Sequence, residues 1–139
     1  MFDYTKDTFT MDRPFRIIIL EDLPSDSTLI KREVKKALGP CDFLVMDNRE
    51  EFIQGLTSFG PDVVLSDYCI PGFDWHSAYQ IMQKRSIHIP FIIVSGSANP
   101  EIAESCKKEG ANDFINKDNL KELGSVLLPY YQSKHLMMG

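Results

Sequence analysis

Apolar and amphipathic segments alternate five times along this chain. Short runs of aliphatic and aromatic residues, typical of strands covered on both faces, occur at 15–20, 43–46, 63–65, 90–95 and 113–116. Each is followed by a stretch with helical spacing of apolar positions: 24–38, a segment that begins at Asn48, 74–85, 100–109, and a segment that begins at Asp118. The pattern predicts a (βα)5 chain of the α/β class.

Local signals support these boundaries. Gly39 follows the first helical stretch, and Gly110 follows the fourth. Asn48 and Glu51 have the spacing of a helix cap and capping box. Pro129 is expected to kink or end the last helix, because proline removes a backbone donor.

The connections predict the arrangement of the strands. Consecutive strands joined by helices form a parallel sheet through right-handed crossovers, with helices on both faces. The expected fold is therefore a doubly wound, five-stranded α/β domain. The carboxyl ends of its strands share one edge of the sheet, which is where ligands bind in such folds.

Composition narrows the range of functions. The chain has 139 residues, 43% hydrophobic residues and a net charge of −5, with no Lys/Arg block longer than two. This argues against a nucleic-acid surface, which needs a concentrated basic face. Three cysteines without CxxC spacing argue against a disulfide framework or a zinc site. No run reaches membrane-spanning length and the first residues lack a signal-peptide pattern, so a cytoplasmic protein without membrane contact is expected.

Polar residues follow four of the predicted strands at the ligand-binding edge. They are Glu21, Asp22, Asp67, Ser95 and Lys117. Three carboxylates brought together repel one another unless a cation joins them, and ligands that are all oxygen favour Mg²⁺. A metal, an ammonium and a hydroxyl around a carboxylate suit phosphoryl transfer, with Asp67 as the nucleophile.

Each of these residues also has an ordinary structural interpretation when taken alone. Asp22 is suited to cap the first helix, and Asp67 precedes a Pro-Gly turn. Glu21 and Lys117 are of types that usually lie in solvated loops, and Ser95 precedes a glycine as a loop start would. Because all five residues are expected at one edge of the sheet, a functional site is favoured over five unrelated structural roles.

The motifs in which these residues lie resemble those of bacterial response-regulator receiver domains. The matching stretches are IILED at 18–22, LSDYCIPG at 65–72, IIVSG at 92–96 and GANDFINK at 110–117. The resemblance covers about residues 14–128 and implies a flavodoxin-like fold with strand order 2-1-3-4-5.

The resemblance also implies roles for individual residues. Asp67 would accept a phosphoryl group from a phosphohistidine on a histidine kinase or histidine phosphotransfer protein. Asp22 and Asp67, Glu21 through water, and the backbone carbonyl of Cys69 would hold Mg²⁺. The response would change the surface of the fourth helix, fifth strand and fifth helix, without enzymatic turnover.

Further roles implied by the resemblance concern the phosphoryl group and the switch. Lys117, Ser95 and the amide of Gly96 would bind the phosphoryl oxygens. Ser95 and Phe114 would form the switch, with the aromatic ring turning inward when the hydroxyl moves. Trp75 departs from the glycine usual at its position, and it is expected near the crevice as a shield, a partner contact or a half-exposed loop residue.

The domain plan has three parts: an arm at 1–13, the receiver at 14–128, and an extension or linker at 129–139. The apolar residues of this extension suggest a homodimer mate or a downstream effector module as a partner.

Two alternative functions stay open. One is a pseudo-receiver that serves only as an interaction module. The other is a phosphohydrolase, although such enzymes carry a second acid where this chain has Cys69.

Overall fold

The computed structural model describes residues 13–96 and 99–138, with side chains up to residue 134. The predicted arm at 1–13 lies outside the described residues, apart from Arg13. The strands are β1 (Phe15–Leu20), β2 (Cys41–Met46), β3 (Val63–Ser66), β4 (Phe91–Ser95) and β5 (Asp113–Asn116). The helices are α1 (Pro24–Leu38), α2 (Arg49–Ser58), α3 (Trp75–Lys84), α4 (Pro100–Lys108) and α5 (Glu122–Met138), with a 3₁₀ turn at Lys117–Asn119.

The five strands form one parallel sheet in the order β2-β1-β3-β4-β5. Both the predicted fold class and the strand order are therefore confirmed. Because every strand points the same way, the residues that follow β1, β3, β4 and β5 meet at one edge. Among the described residues, none of the helices combines the length and the apolar character that a membrane span requires.

The sheet separates two apolar clusters, and alternate residues of each central strand point to opposite sides. In β1, Ile18 and Leu20 belong to the cluster under α2, α3 and α4. Ile17 and Ile19 belong to the cluster under α1 and α5. All four side chains are essentially inaccessible to solvent. This two-sided burial fixes the register of β1, because a slip of one residue would exchange its two faces.

A small residue lets α5 lie directly against α1. A Cβ atom added to Gly124 would overlap the Cβ of Ala37, so a larger residue would push the two helices apart. Leu123 and Leu127 on the same helix are fully buried beside this contact. The position of α1, whose first turn lies at the ligand-binding edge, thus depends on its packing against α5.

In the second βα unit, the strand begins earlier than predicted and the predicted helix cap is confirmed. β2 begins at Cys41, two residues earlier than predicted, where Cys41 pairs with Phe15 of β1. It is an edge strand and mostly half-exposed, so hydrophobicity alone marks its start poorly. The predicted Asn48 cap is present: its side-chain oxygen accepts a hydrogen bond from the backbone N–H of Glu51 at 2.9 Å.

The last helix begins later than predicted and extends beyond Pro129. Residues 117–119 form a 3₁₀ turn, and α5 begins only at Glu122. Pro129 does not end the helix, which continues to Met138. Proline removes one backbone hydrogen bond, but packing on both sides of it offsets that loss. Leu127 is fully buried before it, and the ring of Tyr131 packs edge-on against Phe15 after it, with centroids 5.5 Å apart.

Trp75 is a core residue rather than the predicted shield, partner contact or half-exposed loop residue. It is the first residue of α3 and only 5% exposed. Its ring packs against Phe91 and Tyr79 at centroid distances of 6.1 and 6.2 Å. The cap explains this orientation, because Asp74 accepts a hydrogen bond from Ser77 N–H and starts the helix with Trp75 over the sheet.

Asp62, before β3, ties both ends of the described chain to the opposite edge of the sheet. Its carboxylate accepts hydrogen bonds from Arg13 at 3.0 Å, from the backbone N–H of Arg16 at 2.8 Å and from Lys134 of α5 at 2.6 Å. The side chain is only 7% exposed. Burial raises its pKa, but the hydrogen bonds from Lys134, Arg16 and Arg13 outweigh it and hold the pKa of Asp62 below its ordinary value.

We expect Asp62→Asn to lower the free energy of unfolding at neutral pH by about 1–2 kcal/mol, because two basic side chains lose their partner. A group with a lowered folded pKa stabilises above its unfolded pKa and stops doing so as pH falls through the folded value. The gap between variant and wild type should therefore shrink in acid. Urea unfolding at neutral and acidic pH measures it.

Asp42→Asn is the matched control for this test, since Asp42 is an exposed aspartate at the start of β2. It should change stability little at either pH. An Asp62→Asn variant as stable as wild type at neutral pH would contradict the role given to Asp62. A loss of unfolding free energy in Asp62→Asn that persists undiminished in acid would contradict that role as well.

Candidate functional site

Backbone pairing brings the acidic residues together. Leu20 at the end of β1 pairs with Ser66 at the end of β3, so the residues that follow them, Glu21 and Asp67, are neighbours. The N–H of Asp67 donates to the Leu20 carbonyl at 2.9 Å, which fixes this exit geometry. Oxygens of Glu21, Asp22 and Asp67 all lie within 4.8 Å of one another. The predicted acid cluster is therefore assembled at the predicted edge.

Lys117 reaches the same cluster from the end of β5. The pairing of Ser95 with Asn116 carries Lys117 past the end of β4, and the Asn116 side chain caps the following turn by accepting from Asp118 N–H at 2.9 Å. The ammonium nitrogen lies 2.8 Å from Glu21 Oε1 and 3.4 Å from Asp67 Oδ2. The Lys117 side chain is 16% exposed, so these charges interact under reduced solvent screening.

A third carboxylate contacts Lys117, and the sequence interpretation missed it. Asp26 lies in the first turn of α1, and its Oδ2 accepts a hydrogen bond from Lys117 Nζ at 2.7 Å. The sequence offers only a general signal for it. A helix that starts at this edge presents its first turn to the edge, and Asp26 lies in that turn.

The carboxylates keep Lys117 charged. Burial lowers the pKa of Lys117, but the hydrogen bond to Asp26 and the contacts with Glu21 and Asp67 outweigh it, so the pKa lies above its ordinary value. The pKa of Glu21 is also raised, but for a carboxyl group this disfavours the charged form. Burial raises the pKa of Glu21, and this effect exceeds the lowering by Lys117 and by the hydrogen bond from Leu23 N–H. The buried Glu21 carboxylate thus has an incompletely compensated negative charge.

The two oxygens of Asp67 have different surroundings. Oδ1 accepts a hydrogen bond from the backbone N–H of Tyr68 at 2.7 Å, whereas Oδ2 faces Lys117. The Asp67 side chain is 14% exposed. Its carbonyl accepts a hydrogen bond from the hydroxyl of Ser66 at 2.9 Å. Asp67 is therefore held by its neighbours while one oxygen stays directed at the ammonium.

Asp22 does not cap α1. The residue at the cap position of α1 is Leu23, and no side chain caps that helix end. Asp22 is half-buried beside Glu21 and Asp67. Capping of α1 therefore does not explain why an acid occupies position 22.

The remaining predicted residues lie on β4 and β5 and in the segments that follow β3 and β4. Ser95 is the last residue of β4 and buried, and Gly96 follows it. A Cβ at Gly96 would lie 3.9 Å from Cδ of Lys117, an ordinary contact, so space beside Lys117 does not demand glycine. Phe114, paired with Ile93, is half-buried against the cluster under α2, α3 and α4. Cys69 is exposed two residues after Asp67.

The acid cluster suits a hard divalent cation. It offers carboxylate oxygens only, in one small volume, and Mg²⁺ prefers such ligands while keeping several waters. Glu21 Oε1 is buried and, within the described residues, makes no hydrogen bond of good geometry; its contact with Lys117 is an ion pair. Such an oxygen has capacity for a cation or its water. Glu21, Asp22 and Asp67 therefore fit Mg²⁺ as ligands.

Comparisons of sequence agree with this geometry. The model of the response regulator receiver domain family matches residues 17–127. The chain is 32% identical over 105 residues to the sensory transduction protein BceR of Halalkalibacterium halodurans, covering 74% of the chain and 43% of that protein. It is 28% identical over 120 residues to the DNA-binding transcriptional regulator NtrC of Escherichia coli K12, covering 84% of the chain and 25% of that protein. The chain thus spans less than half the length of these relatives.

Solved structures show the same fold. The signal receiver domain of a putative Luxo repressor protein from Vibrio parahaemolyticus has a TM-score of 0.76 at 23% identity, covering 90% of this chain and 95% of that one. The signal receiver domain of the putative response regulator NarL from Mycobacterium tuberculosis has a TM-score of 0.72 at 20% identity, covering 86% of this chain and 98% of that one. Fold, site and family match converge, and this chain belongs to the response regulator receiver domain family.

Proposed function

We propose that the chain is a phosphoacceptor in a two-component phosphorelay and that Asp67 carries the phosphoryl group. The observation that supports this most strongly is the convergence of Glu21, Asp22, Asp67 and Lys117 at one edge of the sheet. Phosphoryl transfer depends mainly on positioning and on neutralising charge. The acids would hold Mg²⁺, which would neutralise the phosphoryl oxygens, and Lys117 would supply the second positive charge.

The proposed chemistry is one displacement. A carboxylate oxygen of Asp67 forms the new P–O bond, the P–N bond of a partner's phosphohistidine breaks, and its electron pair stays on the imidazole nitrogen. Oδ2 is the better placed oxygen because it faces Lys117, whereas Oδ1 is engaged by Tyr68 N–H. The partner is a histidine kinase or a histidine phosphotransfer protein, and the reaction takes place in the cytoplasm.

The neighbouring residues complete the proposal. Ser95 and the amide of Gly96 contact the phosphoryl oxygens beside Lys117, and the carbonyl of Cys69 joins the Mg²⁺ ligands. Movement of Ser95 toward the phosphoryl group leaves space that Phe114 enters. The result is a changed surface on α4, β5 and α5, which a homodimer mate or an effector module reads.

Two alternative functions are separated by simple observations. A pseudo-receiver that only binds partners needs no cation, and the compact acid cluster argues against it. A phosphohydrolase turns over, but it requires a second acid near the leaving group, and Cys69 occupies the position two residues after Asp67. Absence of steady turnover on a phosphomonoester is therefore expected.

We expect wild-type protein incubated with Mg²⁺ and acetyl phosphate to gain the mass of one phosphoryl group, as measured by intact mass spectrometry. Asp67→Asn should gain none, because the amide is a poor nucleophile. Omission of Mg²⁺ should abolish the adduct, because the phosphoryl charge is then not neutralised.

The matched control is Asp47→Asn, which removes an exposed aspartate at the end of β2, outside the cluster. It should be phosphorylated like wild type. Failure of the wild type to form an adduct with Mg²⁺ would contradict the proposed function. An undiminished adduct in Asp67→Asn would contradict the assignment of the acceptor.

We expect Phe114→Ala to uncouple the switch from the site. With BeF₃⁻ as a phosphoryl mimic, hydrogen exchange in α4 and α5 should change in the wild type, but much less in the variant, because the vacated space is no longer filled. Affinity for BeF₃⁻ itself should change little.

Phe59→Ala is the control for general loosening of the core, since Phe59 packs against the same apolar cluster from the end of α2. It should keep the exchange response of the wild type. An unaltered response in Phe114→Ala, or an equal loss in Phe59→Ala, would overturn the switch role of Phe114.

A further inference from the structure

The shortest contact of Lys117 is with a carboxylate that has no part in the function proposed above. Lys117 Nζ lies 2.7 Å from Asp26 Oδ2, against 2.8 Å from Glu21 Oε1 and 3.4 Å from Asp67 Oδ2. Only the contacts with Asp26 and Asp67 have hydrogen-bonding geometry. The ammonium is therefore shared, and its best bond points to α1 rather than to Asp67.

Asp26 is held on a rigid element. It lies in the first turn of a fifteen-residue helix. Ile30 and Val34 of that helix are buried, and its C-terminal part packs against Gly124 of α5. The Asp26 side chain is 26% exposed, and that of Lys117 is 16% exposed, so their interaction is only partly screened by solvent.

We propose that Asp26 is a positioning residue for Lys117: it draws part of the ammonium's charge from the cation-binding carboxylates toward α1 and opposes the phosphorylated state. This inference rests on the proposed function. It gives Asp26 two effects of opposite sign: Asp26 strengthens the binding of Mg²⁺ and weakens the binding of a phosphoryl group.

The first effect favours Mg²⁺. An ammonium centred on Glu21 and Asp67 would neutralise the acids that bind the cation and would compete with it. By bonding Lys117 at 2.7 Å, Asp26 draws positive charge from these acids toward α1. Its own negative charge also attracts a cation nearby. Both contributions have the same sign, so neutralising Asp26 weakens the binding of Mg²⁺.

The second effect opposes the phosphoryl group. For Lys117 to contact phosphoryl oxygens on Asp67, the hydrogen bond to Asp26 must weaken or break. The Asp26 carboxylate also repels the negative charge that the phosphoryl group brings. Both contributions again agree in sign, so neutralising Asp26 strengthens the binding of a phosphoryl mimic.

The opposite signs separate this role from a merely structural one. A substitution that only loosened the edge of the sheet would weaken the binding of Mg²⁺ and of BeF₃⁻ alike, since both require the same assembled residues. Weaker binding of one ligand together with tighter binding of the other requires a change in where the lysine charge is directed.

The test is Asp26→Asn, which keeps the size of the side chain and removes its charge. Isothermal titration with MgCl₂ should show about three- to tenfold weaker binding than wild type. Titration with BeF₃⁻ at saturating Mg²⁺ should show binding about three- to tenfold tighter, because the bond to be broken is weaker and the repulsion is gone.

Asp47→Asn controls for the loss of one negative charge near the edge, because Asp47 is exposed at the end of β2 and lies outside the contacts of Lys117. Its effects on both ligands should be smaller than those of Asp26→Asn. Equal effects in the two variants would show that general charge, not the lysine contact, is responsible, and would overturn the inference.

A second pair of variants tests the route through Lys117. In a Lys117→Gln background, the additional loss of Mg²⁺ affinity caused by Asp26→Asn should fall to that of Asp47→Asn. An undiminished loss would mean that Asp26 acts on the cation directly, and it would overturn the positioning role.

The outcomes distinguish this inference from the proposed function. If wild type binds neither Mg²⁺ nor BeF₃⁻, the proposed function itself fails. If wild type binds both and Asp26→Asn changes neither, or weakens both, the proposed function stands and the role of Asp26 is wrong.

Discussion

The site depends on one electrostatic constraint: several carboxylates meet at the end of a parallel sheet, and one ammonium lies among them. Glu21, Asp22 and Asp67 place oxygens within 4.8 Å of one another. Like charges this close destabilise one another. Burial and, to a smaller extent, the nearby Asp67 carboxylate raise the pKa of Glu21. Lys117 relieves this repulsion only in part. The negative charge that is left uncompensated makes the cluster receptive to a further cation.

The two apolar clusters hold that constraint in place. Alternate residues of β1 are buried on opposite faces of the sheet, so the exit of Glu21 and Asp22 is fixed by core packing. The opposite edge is fastened by the bonds of Asp62 to Arg13, Arg16 and Lys134. The framework is thus secured away from the site, and the polar residues at the other edge can change partners without unfolding it.

The sequence predicted the features that follow from period and chain order. The alternation of apolar runs and helical patterns predicted the doubly wound sheet, and acids at strand ends predicted the cluster. It could not predict contacts that require knowing how one element lies on another. The burial of Trp75 was not predicted, because it depends on a cap and on packing against Phe91. Pro129 continues a helix because the residues around it, among them Tyr131, pack against the sheet.

Asp26 shows the same limit within the site itself. Its contact with Lys117 joins residues that are 91 positions apart, and no motif containing Asp26 marks it. Only the position of α1 over the edge of the sheet brings these two charges together. The chain order predicted which residues could take part in the chemistry, whereas helix packing determined which of them the lysine contacts most closely.

Diffraction from crystals containing Mn²⁺ tests the central claim most directly, because the ion substitutes for Mg²⁺ and its anomalous signal locates it. The account predicts one principal anomalous peak within coordination distance of Asp22 and Asp67, and on the same side as Glu21. A principal peak elsewhere on the protein, with none among these carboxylates, would contradict it.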